Sequence, residues 1–144
     1  MTKPVAFSVS LDGNFEDVTS SVDFYYYIQP KVVAMKPHHG PKDGGTTVEV
    51  WGEHFVDFGE DTTCSFGVKS VPANVHDKGK ITCVSPHSDV TGREMPFSVS
   101  LNGQQQSREK MDFWFYNDPQ VVQVDPDIGP EQGGNEIILR GNNF

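Results

Sequence analysis

Few residues of this chain carry the chemistry of a reactive site. Its histidines are His38, His39, His54, His76 and His87. The adjacent pair His38-His39 has the right atoms for a transition metal, but no further ligand follows at zinc spacing, which leaves a solvated turn. The stretch 57–61 (DFGED) offers carboxylate oxygens of the kind calcium takes, alone or with Asp125 and Asp127. It lacks the D-x-D-x-D-G loop pattern and reads as an acidic, solvated loop. Cys64 and Cys83 are the only cysteines; they are either a bridge or two buried thiols. There is no nucleophile elbow, glycine-rich phosphate loop or pair of catalytic carboxylates. The expectation is a protein without catalysis, metal or cofactor.

Charge narrows the partners. Eleven basic residues are scattered among twenty acidic ones, for a net charge of -9 and a pI near 4.8. A phosphate backbone needs clustered Lys and Arg to release its counterions, so nucleic acid is not an expected partner. An anionic membrane surface is disfavoured for the same reason. No apolar run approaches the ~20 residues of a membrane-spanning helix, so insertion by this segment is not expected. The first residues lack the apolar stretch of a signal peptide. No N-x-S/T sequon occurs, which leaves O-linked sugars as the conceivable glycans.

The elements that must position these groups are strands, because period-2 alternation runs through the chain and long helical periodicity is missing. Strand candidates are 31–37, 46–51, 62–66, 70–75, 80–84, 94–101 and about 108–116, with 38–45 (HHGPKDGG) read as a turn. Asn102-Gly103 lies between alternating runs, the signature of a two-residue type I′ hairpin, and Asp12-Gly13 reads as the same turn. The chain also repeats itself. Residues 7–13 (FSVSLDG) and 97–103 (FSVSLNG) differ at a single position, and 23–55 matches 112–144 at 13 of 33 positions. The period near 90 suits one immunoglobulin-sized sandwich per repeat. Gly44-Gly45 permits a reversal with positive φ. Val48, Val50, Phe55, Phe66, Ile81, Phe97, Val99, Phe113 and Phe115 form the expected core.

If Phe113 and Phe115 face that core, alternation sends Trp114 and Tyr116 to the other face. The earlier copy sets Tyr25 and Tyr27 opposite Phe24 and Tyr26. Trp51, out of phase with Val48 and Val50, also points outward, and its counterpart is Arg140. These five aromatics are the candidate interaction surface, since exposed Trp and Tyr on a sheet often contact another domain or subunit.

From Pro30 onward the chain resembles the IPT/TIG family, the immunoglobulin-like domains shared by plexins and certain transcription factors. The opening pattern stands at Pro30, Val32, Pro37, Gly40, Pro41, Gly44, Gly45, Thr46, Val48, Val50, Gly52 and Phe55. The middle pattern stands at Cys64, Phe66, Gly67, Ile81, Cys83 and Pro86, and the closing one at Phe113, Phe115, Asp118 and Pro119. The opening pattern returns at Pro119, Val121, Pro126, Gly129, Pro130, Gly133, Gly134, Gly141 and Phe144, with Asn135 for the usual threonine. The resemblance implies an all-β, immunoglobulin-like β-sandwich: one complete domain at 30–117, preceded at 1–29 by the last hairpin of another repeat and followed at 118–144 by the first strands of a third. The proline-containing junctions Gln29-Pro30 and Asp118-Pro119 leave almost no linker and imply stiff neighbours. By the same resemblance Cys64 and Cys83 form a disulfide, which puts the protein outside the cytosol, extracellular or on the cell surface.

The expected function is a structural or adhesion module, a segment of a tandem array whose aromatic faces and partial repeats join copies of the chain into a fibre or filament. The alternatives are the ligand-binding ectodomain of a plexin-like or fibrocystin-like receptor, the accessory domain of a secreted carbohydrate-active enzyme, and a transcription-factor dimerisation domain. The expected partner is protein, copies of the same chain or neighbouring repeats above all. The resemblance is specific for fold and weak for function, because the family's members do unrelated jobs.

Overall fold

A computed structural model describes residues 3–16 and 19–144. Twelve strands are present among them: β1 (Pro4–Phe7), β2 (Val22–Tyr25), β3 (Lys31–Lys36), β4 (His39–Pro41), β5 (Thr47–Glu53), β6 (Thr63–Phe66), β7 (Lys69–Asp77), β8 (Lys80–Val84), β9 (Glu94–Ser100), β10 (Met111–Tyr116), β11 (Gln120–Asp125) and β12 (Ile138–Asn142). A single 3-10 turn, Gly59–Asp61, precedes β6.

Strands β3 to β10 form one curled sheet in the order β3-β5-β8-β7-β6-β9-β10-β4. Its curl follows from two crossings. β7 pairs with β6 through Lys69 to Pro72 and with β8 from Ala73 onward, so it passes from one layer to the other. Pro72 stands at the crossing, where a residue without an N–H costs least. β3 pairs with β5 at one end of the order, while β4, two residues further along the chain, runs parallel to β10 at the other. The result is an immunoglobulin-like sandwich with β3, β5, β8 and the second half of β7 in one layer.

Between the layers lie Val48, Val50, Phe55, Cys64, Phe66, Ile81, Phe97, Val99, Leu101, Phe113 and Phe115, with Val32, Met35 and Cys83 beside them, all buried. Phe66 meets Phe97 and Phe113 edge-on at 5.0 Å each, and Phe113 meets Phe115 at 4.9 Å. Such pairs contribute about 0.5–1.5 kcal/mol beyond the area they bury. Cys64 on β6 and Cys83 on β8 are joined as a disulfide, with Cα atoms 6.4 Å apart. Gly44 and Gly45 take φ of +81° and +83°. A Cβ on Gly44 would also lie 2.6 Å from Ser85 O, so both conformation and space require glycine there.

Two local expectations are corrected. The stretch 38–45 is not turn alone: His39–Pro41 forms β4, held by Trp114 N donating to His38 O at 2.8 Å and Lys42 N to Tyr116 O at 2.8 Å. Asn102-Gly103 and Asp12-Gly13 are not type I′ hairpins. Only the glycines take positive φ (Gly103 +71°, Gly13 +82°), and type I′ needs it at both central residues. Instead Asn102 Oδ1 accepts from Gln104 N at 3.1 Å and Gln105 N at 3.0 Å, and β10 starts only at Met111. Asp12 Oδ1 likewise accepts from Asn14 N at 3.0 Å.

Two separate hairpins flank the sandwich, β1–β2 and β11–β12. Their registers copy pairs inside it. Phe7↔Val22 and Pro4↔Tyr25 correspond to Phe97↔Met111 and Glu94↔Trp114. Gln120↔Asn142, Val121↔Gly141 and Gln123↔Arg140 correspond to Lys31↔Glu53, Val32↔Gly52 and Ala34↔Trp51, with the irregularity at the same place.

Candidate functional site

Strand alternation in β10 buries Phe113 and Phe115 and leaves Trp114 and Tyr116 exposed on the outer face. His39 of β4 lies beside them, its ring 6.1 Å from that of Tyr116. With Pro119, Asn143 and Phe144 from the following hairpin these residues line an open, largely apolar cleft of about 790 Å³, with Glu94 and Asp112 at its border. An aromatic floor with carboxylates beside it can stack a ring or receive a cation.

The other three aromatics do not join this surface. Trp51 lies on β5, in the opposite layer, and is half-buried rather than freely outward: Lys80 Nζ sits 5.6 Å from its ring centroid while donating to Glu49 Oε1 at 2.8 Å. Tyr25 is exposed on the β1–β2 hairpin. Tyr27 corrects the alternation argument. β2 ends at Tyr25, so the alternation no longer governs residue 27, and its ring turns onto Phe58 of the sandwich, centroids 5.7 Å apart. The five residues thus occupy four places instead of one face.

The groups around Tyr27 are nearly silent in the sequence. Gln29 Nε2 donates to Gln106 O at 2.9 Å, and Arg108 Nε donates to Gln29 Oε1 at 3.0 Å. Separations of 77 and 79 residues made these contacts illegible in the sequence. The one signal was the short Gln29-Pro30 junction. Elsewhere, Asp89 accepts from His87 Nε2 at 3.1 Å and pairs with Lys69 Nζ at 3.4 Å, which together hold its carboxyl below the usual carboxylate range. Among the described residues no three His, Cys, Asp or Glu side chains converge on one point; His38-His39 and the 57–61 loop gain no further ligand. No helix there is long and apolar enough to cross a membrane.

The sequence model of the IPT/TIG domain matches residues 30–114, the span of the sandwich. The chain belongs to the IPT/TIG domain family. Among curated proteins it is similar to Plexin-A2 of mouse and of human, each 27% identical over 129 residues that cover 90% of this chain and 7% of the relative. Plexin-2 of Caenorhabditis elegans is 23% identical over 128 residues, with 88% and 7% covered. This IPT/TIG chain therefore spans about one fourteenth of the length of those relatives. Among solved structures, the full extracellular region of Plexin A4 superposes with a TM-score of 0.52 at 18% identity, covering 78% of this chain and 12% of that one. That likeness shows the fold. The disulfide and the plexin relatives together put this IPT/TIG segment in an extracellular or cell-surface location.

Proposed function

We propose that this chain is a non-catalytic segment of a plexin-like receptor's extracellular region, in which IPT/TIG modules follow one another in tandem and set the distance between binding surfaces. The observation that carries this reading is the extent of the plexin likeness. It covers 129 residues, well beyond the sandwich at 30–114, and so extends into the flanking segments on both sides. The registers of those hairpins support it, since each copies the first or last strand pair of the sandwich. Their apolar faces point the same way. Phe24 is 52% and Phe7 56% exposed, whereas Phe113 and Phe97, their counterparts in the sandwich, are fully buried. Such faces call for the remaining strands of a module.

Trp114, Tyr116 and Trp51 are the surfaces this reading offers to protein partners. The fibre reading draws on the same exposed faces, with copies of the chain supplying the cover. The receptor reading needs no polymer, because strands of the same polypeptide do that work. The full-length transcript tests it. Strands aligning with 56–117 are expected after residue 144, with a membrane-spanning helix downstream. A catalytic domain in their place, or no membrane span at all, would overturn the receptor reading.

A further inference from the structure

We propose that Phe58, Gln106 and Arg108 form a socket that seats the last residues of a preceding module, and that the segment Tyr27-x-Gln29-Pro30 is its plug. Naming the occupant a module rests on the tandem reading above; the contact itself lies wholly within this chain. The plug makes three kinds of contact. Tyr27 and Phe58, both half-buried, pack ring to ring against the edge of the core. The Gln29 amide uses both ends, donating to Gln106 O at 2.9 Å and accepting from Arg108 Nε at 3.0 Å. Pro30, which fixes the exit direction of the chain, is buried.

The socket is also held by bonds of its own, apart from those to the plug. Phe58 N donates to Oγ1 of the fully buried Thr62 at 3.1 Å, which sets the aromatic loop. Buried Ser107 accepts from Val99 N at 3.2 Å and donates to Glu109 O at 3.1 Å, pinning the segment between Gln106 and Arg108. Ser98 Oγ donates to Gln106 Oε1 at 2.8 Å, so the Gln106 side chain is held and its carbonyl stays available for Gln29. A surface already ordered loses little freedom on docking. The sandwich ends in a plug of the same form, Tyr116-x-Asp118-Pro119, with a carboxylate in place of the amide. A carboxylate only accepts, so the socket it enters must supply N–H or O–H donors.

Thermal unfolding of the 144-residue chain tests the contact through a double-mutant cycle. Tyr27→Ala and Phe58→Ala are each expected to lower the Tm of the sandwich by about 2–6 °C, the size of an aromatic pair in a domain of this length. The double variant is expected to fall no further than the lower single variant. An unchanged Tm in Tyr27→Ala, or shifts that simply add, would overturn the socket. Should Phe58→Ala not fold, Gln29→Ala with Arg108→Ala reads the same coupling at the hydrogen-bonded side, under the same criteria. Additive shifts would leave the tandem reading standing. A coding sequence with no module before residue 1 would remove the proposed occupant while leaving the measured coupling in place.

Discussion

The covalent link between Cys64 and Cys83 joins strands that belong to different layers, with both residues buried in the core. Its residues are 19 apart in sequence. Closing a loop of that size removes freedom from the unfolded chain and stabilises the fold by about 3 kcal/mol. The variant Cys64→Ala/Cys83→Ala is expected to melt about 10–20 °C lower, and a reductant should bring the parent chain to the same place; coincident melts with and without reductant would sink this. A weaker, pH-dependent contribution comes from Asp89. Its carboxyl is held down first by the hydrogen bond from His87 and then by Lys69. The fold therefore favours the carboxylate over the acid. This contribution is complete above the ordinary Asp value of about 3.9 and is lost as the pH falls through the lower folded-state value. Because Asp89 is exposed, solvent screens the effect and keeps it small. A carboxyl-resolved NMR titration should give Asp89 a midpoint below the ordinary value, moving upward in Lys69→Ala; a midpoint at the ordinary value in both proteins would contradict it.

Most of the strands could be read from alternation, because a strand that buries one face writes its burial into every second residue. β5 and β10 show this: Val48 and Val50, then Phe113 and Phe115, point inward as their spacing requires. β4 could not be read. It is three residues long, lies in a run of turn-forming residues, and exists only because β10, some seventy residues away, offers it a parallel edge. The Asn102-Gly103 turn was misread for a related reason. Local sequence favours a tight hairpin, but Ser107 is bound into the core through Val99, and that tertiary tie lengthens the connection to reach Met111. The candidate surface divides in the same way. Trp114 and Tyr116 follow from alternation alone. The turn of Tyr27 onto Phe58 depends on how two elements sit together, and no periodicity within either one encodes that.

At the scale of the whole molecule the two flanking hairpins are alike in register but unlike in attachment. Upstream, Tyr27 and Gln29 are half-buried and Pro30 is buried, all against the sandwich. Downstream, every residue from 118 to 144 is exposed, and Asn143 Nδ2 donates to Asp118 O within that same segment. Pro119, Asn143 and Phe144 of that segment line a cleft together with Trp114 and Tyr116 of the sandwich. Gly141 and Phe144 meanwhile keep the mutual placement of Gly52 and Phe55, each ring lying where a glycine Cβ would stand. On the tandem reading proposed above, Phe144 enters a core of its own, as Phe55 does, instead of completing the one before it. Attachment should then be unequal in solution. Removing residues 120–144 is expected to leave the Tm of the sandwich within about 2 °C, whereas removing 1–28, and Tyr27 with it, should lower it by about 2–6 °C. Calorimetry of the two truncated chains decides the matter. If the downstream truncation proves the more costly, the cleft at Trp114 carries the stronger contact, and the joint between modules lies there instead of at Phe58.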